Sequence, residues 1–401
     1  MVITADTTLP GGTLYLPEGL QIEADGVTLN GNGTTLIGDD FSGNGVFVNG
    51  KNAVTITNLR VQNFAHGIRA ENCGALTIAG VTAASTAEPD PNGEFLDIFR
   101  GADVAYGGGI ILVGVADSKI QKNNLSHQMC GLLAYDCARL EVRANVADYC
   151  SGFGFYLSGT CDSIYEANHA DFCCRWHVRA GGGGHMGADA AGFVIVKGSS
   201  RNTFRGNFAR LGGDGFFLAG LTHALEALPC NDNLFENNDA SWSPNIAFEA
   251  TFSRGNVFRG NTANHCNYGF WLGFSSGNVL ENNRITLNRT AGVATENGVE
   301  MTVRGNEVRG NAYGLLLWSK RIPQFDAAVP GNDTSRDWLI EGNVFAGNAR
   351  AIRIAADQDH GVRPYSPEGT CPPPRNHALR GNTFEANRMD VDADLTGFFV
   401  T

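Results

Sequence analysis

Between Cys173 and Lys197 the chain reads CCRWHVRAGGGGHMGADAAGFVIVK, which gathers Arg175, His177, Arg179 and His185, with Asp189 and Lys197 further on. From Arg175 to Arg210 there are six Lys or Arg against one acid, in a chain whose net charge is -12. An imidazole is a base near neutral pH, a guanidinium neutralises a carboxylate, and a phenol can protonate a departing oxygen. These are the parts of a β-elimination from a uronate sugar. In that scheme His177 or His185 takes the C5 proton, Arg179 holds the carboxylate, and Tyr156 serves as the acid. The glycines at 181 to 184 would let the segment move as a lid.

A second set is acidic. Glu249 and Glu296 occur in IAFEAT and AGVATE, short runs that alternate apolar and polar residues as strands do. Two carboxylates on one face can act as acid and base in inverting glycoside hydrolysis, at a separation of roughly 6.5–9.5 Å. Asp214, in GGDGFF, is a third acid whose commoner role is to cap a turn. Tyr135, Phe217, Trp271 and Trp318 fall at outward positions of similar runs. With Tyr156 they are expected to form an exposed aromatic track for sugar rings, with Lys197 beside it.

The elements that must position these residues repeat. Aligning on the Asn of [RE]-x-Asn gives Asn145, Asn168, Asn207, Asn238, Asn261, Asn283, Asn306, Asn343 and Asn382. The steps from Asn238 to Asn306 are 23, 22 and 23 residues, and self-similarity at a fixed period of this size denotes a solenoid. Each unit holds two short strand-like runs, such as NVFRGN and GFWLGF. The pattern resembles the right-handed parallel β-helix of the pectate lyase-like superfamily, over roughly residues 20 to 400. The expected fold is therefore all-β: a single-stranded right-handed parallel β-helix solenoid of about a dozen coils. Residues 1–20 are read as its N-terminal cap and 21–401 as the β-helix domain. Stacked coils would align the asparagines in a ladder along the axis.

Five insertions interrupt the period, at roughly 85–107, 174–191, after 219, after 318 and after 355. All abut the ends of one strand column, the arrangement that walls a groove. The superfamily resemblance implies a carbohydrate connection, since its members include polysaccharide lyases, glycoside hydrolases, uronan epimerases and non-catalytic proteins. The motif DPH of the epimerases is absent. The expected function is a polysaccharide lyase acting on an acidic glycan, with an inverting hydrolase, a uronan epimerase, or a non-catalytic glycan-binding or maturation-type protein, as alternatives.

Composition bounds the rest. The acidic net charge argues against nucleic acid or an anionic membrane as partner, and no apolar run approaches the roughly 20 residues that span a bilayer. The opening MVITADTTLPGG lacks the regions of a signal peptide. The chain as written is expected in the cytoplasm, or outside it if a signal has been removed. Ten cysteines without CxxC spacing read as small apolar core residues. No cofactor is required, and loop acids Asp97, Asp103, Asp357 and Asp359 are candidate Ca²⁺ ligands.

Overall fold

The computed structural model describes residues 1–89, 95–175, 190–355 and 374–393, and the backbone alone of 177–178, 184–185 and 399–400. The chain forms two compact units, Met1–Ile195 with Ser199–Gly213, and Val196–Gly198 with Asp214–Thr401. Both are built from parallel coils. Helix among the described residues is confined to Ala102–Val104 and Pro323–Ala328, and none is long and apolar enough to cross a membrane.

In the first unit the long-strand sheet runs from Val2–Ile3 and Leu20–Ile22 through the six-residue strands Asn44–Asn49, His66–Glu71, Gly108–Val113, Cys130–Tyr135 and Phe153–Ser158. Three-residue strands such as Thr55–Thr57, Thr77–Ala79 and Lys119–Gln121 make a second parallel sheet. Thr13–Tyr15, Thr35–Ile37, Arg60–Gln62 and Thr82–Ala84 make a third. Residues 1–15, placed by sequence in a cap, carry strands that pair in the same parallel sense as the coils after them.

The second unit repeats the plan. Its long strands are Asp214–Ala219, Ile246–Thr251, Tyr268–Trp271, Ala291–Glu296, Tyr313–Trp318, Arg350–Ala355 and Met389–Ala393. Side chains alternate along each strand, so Phe216, Phe248 and Phe270 fall on the inner face. They stack there at 5.1 and 5.0 Å, against a second column in which Phe235 and Phe258 stack at 4.6 Å. Parallel in-register coils put like residues over like, which is why the core is built of columns.

The asparagines form the expected ladders within each unit. Asn123, Asn145, Asn168 and Asn207 pass amide bonds of 2.9–3.0 Å from one to the next. Asn238, Asn261, Asn283, Asn306, Asn343 and Asn382 do the same at 2.9–3.2 Å. Each amide also bridges to backbone; Asn283, for example, donates to Phe258 O at 2.9 Å. A buried turn would otherwise leave its N–H and C=O groups unpaired, and the ladder satisfies them. The described cysteines are free thiols, and all but Cys161 and Cys174 are buried.

Candidate functional site

The strand registers set out the outer face of each long-strand sheet. In the first unit Arg69, Ile111, Leu133 and Tyr156 are successive neighbours in one row, and Glu71, Val113, Tyr135 and Ser158 in the next. In the second unit one row is Phe217, Glu249, Trp271, Ala294, Leu316 and Arg353. Glu296, Trp318 and Ala355 succeed one another in the other.

The aromatic residues hold these positions but do not form an exposed track. Tyr135, Tyr156, Phe217, Trp271 and Trp318 are between 1 and 7% exposed. The reason in the first unit is the insertion before Gly108. It folds over the sheet face, where the Tyr156 hydroxyl donates to Ile98 O at 2.9 Å and Arg69 donates to Ala102 O at 3.2 Å. Tyr156 also packs on Phe153 and Tyr135, at 5.4 and 5.3 Å between ring centres. Burial raises the pKa of both phenols far above the ordinary value. As described, the Tyr156 hydroxyl is engaged by the insertion and shielded from solvent, not presented on an open face as the sequence reading expected.

The other elimination residues fall at the edge of what is described. Backbone strands His177–Val178 and Gly184–His185 pair antiparallel, with position 177 opposite 185; their side chains, and Arg179, lie outside the described residues. So do Asp189, the glycines at 181 to 183, Asp357 and Asp359. Three of the six basic residues counted from Arg175 to Arg210 are paired with acids in space. Arg201 pairs with Asp162 at 2.7 Å, Arg205 with Glu166 at 3.6 Å and Arg210 with Asp171 at 2.6 Å. Each acid precedes its arginine by 39 residues, one coil away.

In the second unit the outer face is both apolar and charged. Trp271 and Trp318 meet edge to face at 5.4 Å, packed with Ile246, Tyr268 and Leu316. Beside them Glu296 is 5% exposed, with the Lys320 ammonium 4.0 Å from its Oε1. Glu249 is half-buried and Arg353 is buried, Arg353 lying 3.4 Å from Asp392 Oδ1. The indole N–H of Trp318 is buried without a hydrogen-bond acceptor among the described residues. Glu249 and Glu296 stand two strands apart, about 10 Å along the stacking direction, and two residues apart along the strands, about 7 Å. Asp214 is wholly buried and its Oδ1 accepts a bond from Ile246 N at 2.8 Å, at the start of the neighbouring long strand. Lys197 occupies the turn after the strand Ala191–Val196, at φ 51°.

Exposed rings do occur, at a position the sequence reading passed over. His127, Tyr149 and Phe172 stack at 4.9 and 4.8 Å in the turn before the long-strand sheet of the first unit. In the second unit Trp242 stacks on His265 at 3.9 Å. All five have positive φ. The readable signal was adjacency to the cysteine column, as in Tyr149-Cys150, Phe172-Cys173 and His265-Cys266. Stacking hides ring faces and leaves edges in water. Among the described residues no group of three or more His, Cys, Asp or Glu could hold a metal ion.

Known proteins share this architecture. The A-module of the mannuronan C-5 epimerase AlgE6 of Azotobacter vinelandii superposes with a TM-score of 0.51 at 16% identity, covering 98% of this chain and 90% of that one. A mutant of the periplasmic alginate epimerase AlgG gives 0.52 at 13% identity, over 94% and 79%. No curated protein sequence matches the chain significantly. A family described as the right handed beta helix region matches residues 25–209 and 212–329. With most of its length matched and its coils stacked in parallel sheets, the chain belongs to the right-handed β-helix family.

Proposed function

We propose that the protein is a carbohydrate-active enzyme that cleaves a uronate-containing polysaccharide by hydrolysis, with Glu249 and Glu296 as the acid–base pair. The observation that carries this reading is the buried Glu296 carboxylate on the outer face of the second unit, close to Lys320 and in register with Trp318, whose buried indole N–H has no acceptor among the described residues. Burying charge is unfavourable and adds nothing to packing, and a buried donor left without a partner calls for an explanation that a ligand can supply. Lys320 balances the charge of Glu296, which suits it to activate water, while the more accessible Glu249 protonates the departing oxygen. Their spacing, after side-chain reach, is compatible with the wider separation of inverting enzymes. The substrate class is supported by the fold shared with proteins named as mannuronan and alginate epimerases.

Elimination is the second reading, favoured by the hairpin that sets position 177 opposite 185. In it one histidine removes the C5 proton and the other protonates O4 as the C4–O4 bond breaks and a C4=C5 double bond forms. Arg179 would neutralise the uronate carboxylate. One assay separates the readings: polyuronates and neutral glycans incubated with the protein, ultraviolet absorbance and reducing ends followed together. Reducing ends without absorbance, abolished in Glu296→Gln, are the expected result. Absorbance abolished by His177→Ala would transfer the chemistry to the hairpin, and no product from any glycan would leave a binding protein.

A further inference from the structure

Past the ends of the long strands in the second unit lies a cleft that the chemistry above does not use. Its volume is about 380 Å³, within the range of small-molecule sites. One wall is the insertion after Ala219, through Ala227 and Pro229; the other is the insertion after Trp318, through Val329 and Asn332. Phe252 and Phe274 form the floor, with parallel rings 5.2 Å apart. Phe325, from the short helix, meets both rings edge to face at 5.0 and 5.1 Å. The walls are anchored: Leu228 N donates to Gly220 O at 2.8 Å, and Asn332 Nδ2 donates to Ser275 O and Asn297 O at 2.9 Å each.

The register explains why one aromatic face is available. Ala219 pairs with Thr251, so Gly220 occupies the rung before Phe252. A Cβ at Gly220 would lie 2.2 Å from Phe252 O and 2.6 Å from Ser253 Oγ, so the rung admits no side chain. Phe252 is covered by Phe274 on one side and by no ladder side chain on the other, and it remains half-buried. Two residues on, Arg254 lines the same cleft, is exposed, and makes no ion pair among the described residues.

An aromatic face next to a guanidinium selects a ring with an apolar face and an anionic substituent. We propose that this cleft is a subsite for a uronate ring of the polysaccharide, the sugar face on Phe252 and its carboxylate on Arg254. The proposal rests on the acidic-polysaccharide reading above. Phe252 follows Glu249 by three residues, about 10 Å along the strand, so the bound ring occupies a neighbouring position rather than the reacting one.

The test is calorimetric titration of mannuronate and galacturonate trisaccharides, with cellotriose as the neutral control. The proteins compared are the wild type, Phe252→Ala, Arg254→Gln and Glu296→Gln. Uronate affinity should fall by about tenfold or more in the first two variants, the scale of a lost charge-assisted contact. It should hold in Glu296→Gln, and Arg254→Gln should leave cellotriose binding unchanged. In cleavage assays the cleft variants should raise KM and keep kcat. Arg254 is exposed, so its variant tests the site without a packing defect. Unaltered uronate affinity in both cleft variants, or no uronate binding by the wild type, overturns the subsite whatever the activity. Lost affinity in those variants, with no glycan turned over by the wild type, would keep the subsite and refute the enzyme.

Discussion

Replacing Tyr156 by Phe removes one oxygen and separates a structural phenol from a catalytic one. The ring keeps its packing on Phe153 and Tyr135, so no cavity larger than the hydroxyl is made. What disappears is the 2.9 Å bond to Ile98 O, with the longer 3.5 Å approach to Arg100 O. A buried hydrogen bond contributes about 1 kcal/mol net, and leaving its acceptor unsatisfied raises the loss to about 1–3 kcal/mol. The effect should be local, because the bond pins the 95–107 insertion to the sheet. Urea unfolding should show a loss in that range, and hydrogen exchange should show earlier opening of the insertion. Cleavage of a polyuronate should stay within about threefold of wild type. Removal of a general acid lowers rates by about 10² to 10⁴. A hundredfold loss of kcat in a variant that is still folded would show that the phenol donates its proton in the reaction and that the closed face opens.

Two further perturbations probe the scaffold. Asn283→Ala removes the acceptor of Asn261 N–H and donors to Phe258 O and Asn306 Oδ1; we expect about 3–5 kcal/mol of destabilisation in urea unfolding, and a loss under 1 kcal/mol would mean the ladder is dispensable. Burial lowers the pKa of His377 to about 4, so the folded protein binds this proton less readily than the unfolded chain. Its contribution is complete above about pH 6.5 and is lost as pH falls towards 4, a span of about 3 kcal/mol. His377→Phe should flatten that part of the stability profile, and an unchanged acid limb would show that the imidazole is protonated in the fold.

The fold was legible because a solenoid writes its contacts into its period. Once Asn238, Asn261, Asn283 and Asn306 were aligned, the ladder, the inward Phe270 and the outward Trp271 followed from alternation. The site was less legible, because what covers an outer face is set by insertions that obey no period. Nothing in FRGADVAY shows that it folds onto Tyr156. A count of charge along the sequence is poorly legible for a related reason: ion-pair partners in stacked coils lie one repeat away, so Arg201, Arg205 and Arg210 find Asp162, Glu166 and Asp171 outside any local window.

The same geometry argues where chemistry belongs. A column of identical positions is the cheapest way to fill a coil, so a residue that breaks its column needs a local reason. On the outer face of the second unit Glu249 lies between Phe217 and Trp271 in register, where an aromatic residue would continue the packing. Glu296 pairs with Trp318 and keeps its carboxylate in the same apolar surroundings. If packing alone shaped this face, Glu249→Phe, and Glu296→Leu combined with Lys320→Met so that no partner charge is left behind, would stabilise the protein, since apolar replacement of a whole buried ion pair is often favourable. Variants that gain stability while losing cleavage would mark both glutamates as positions where stability has been given up for function. Variants that lose both would show that the carboxylates hold the fold, and would remove the ground for placing the reaction there.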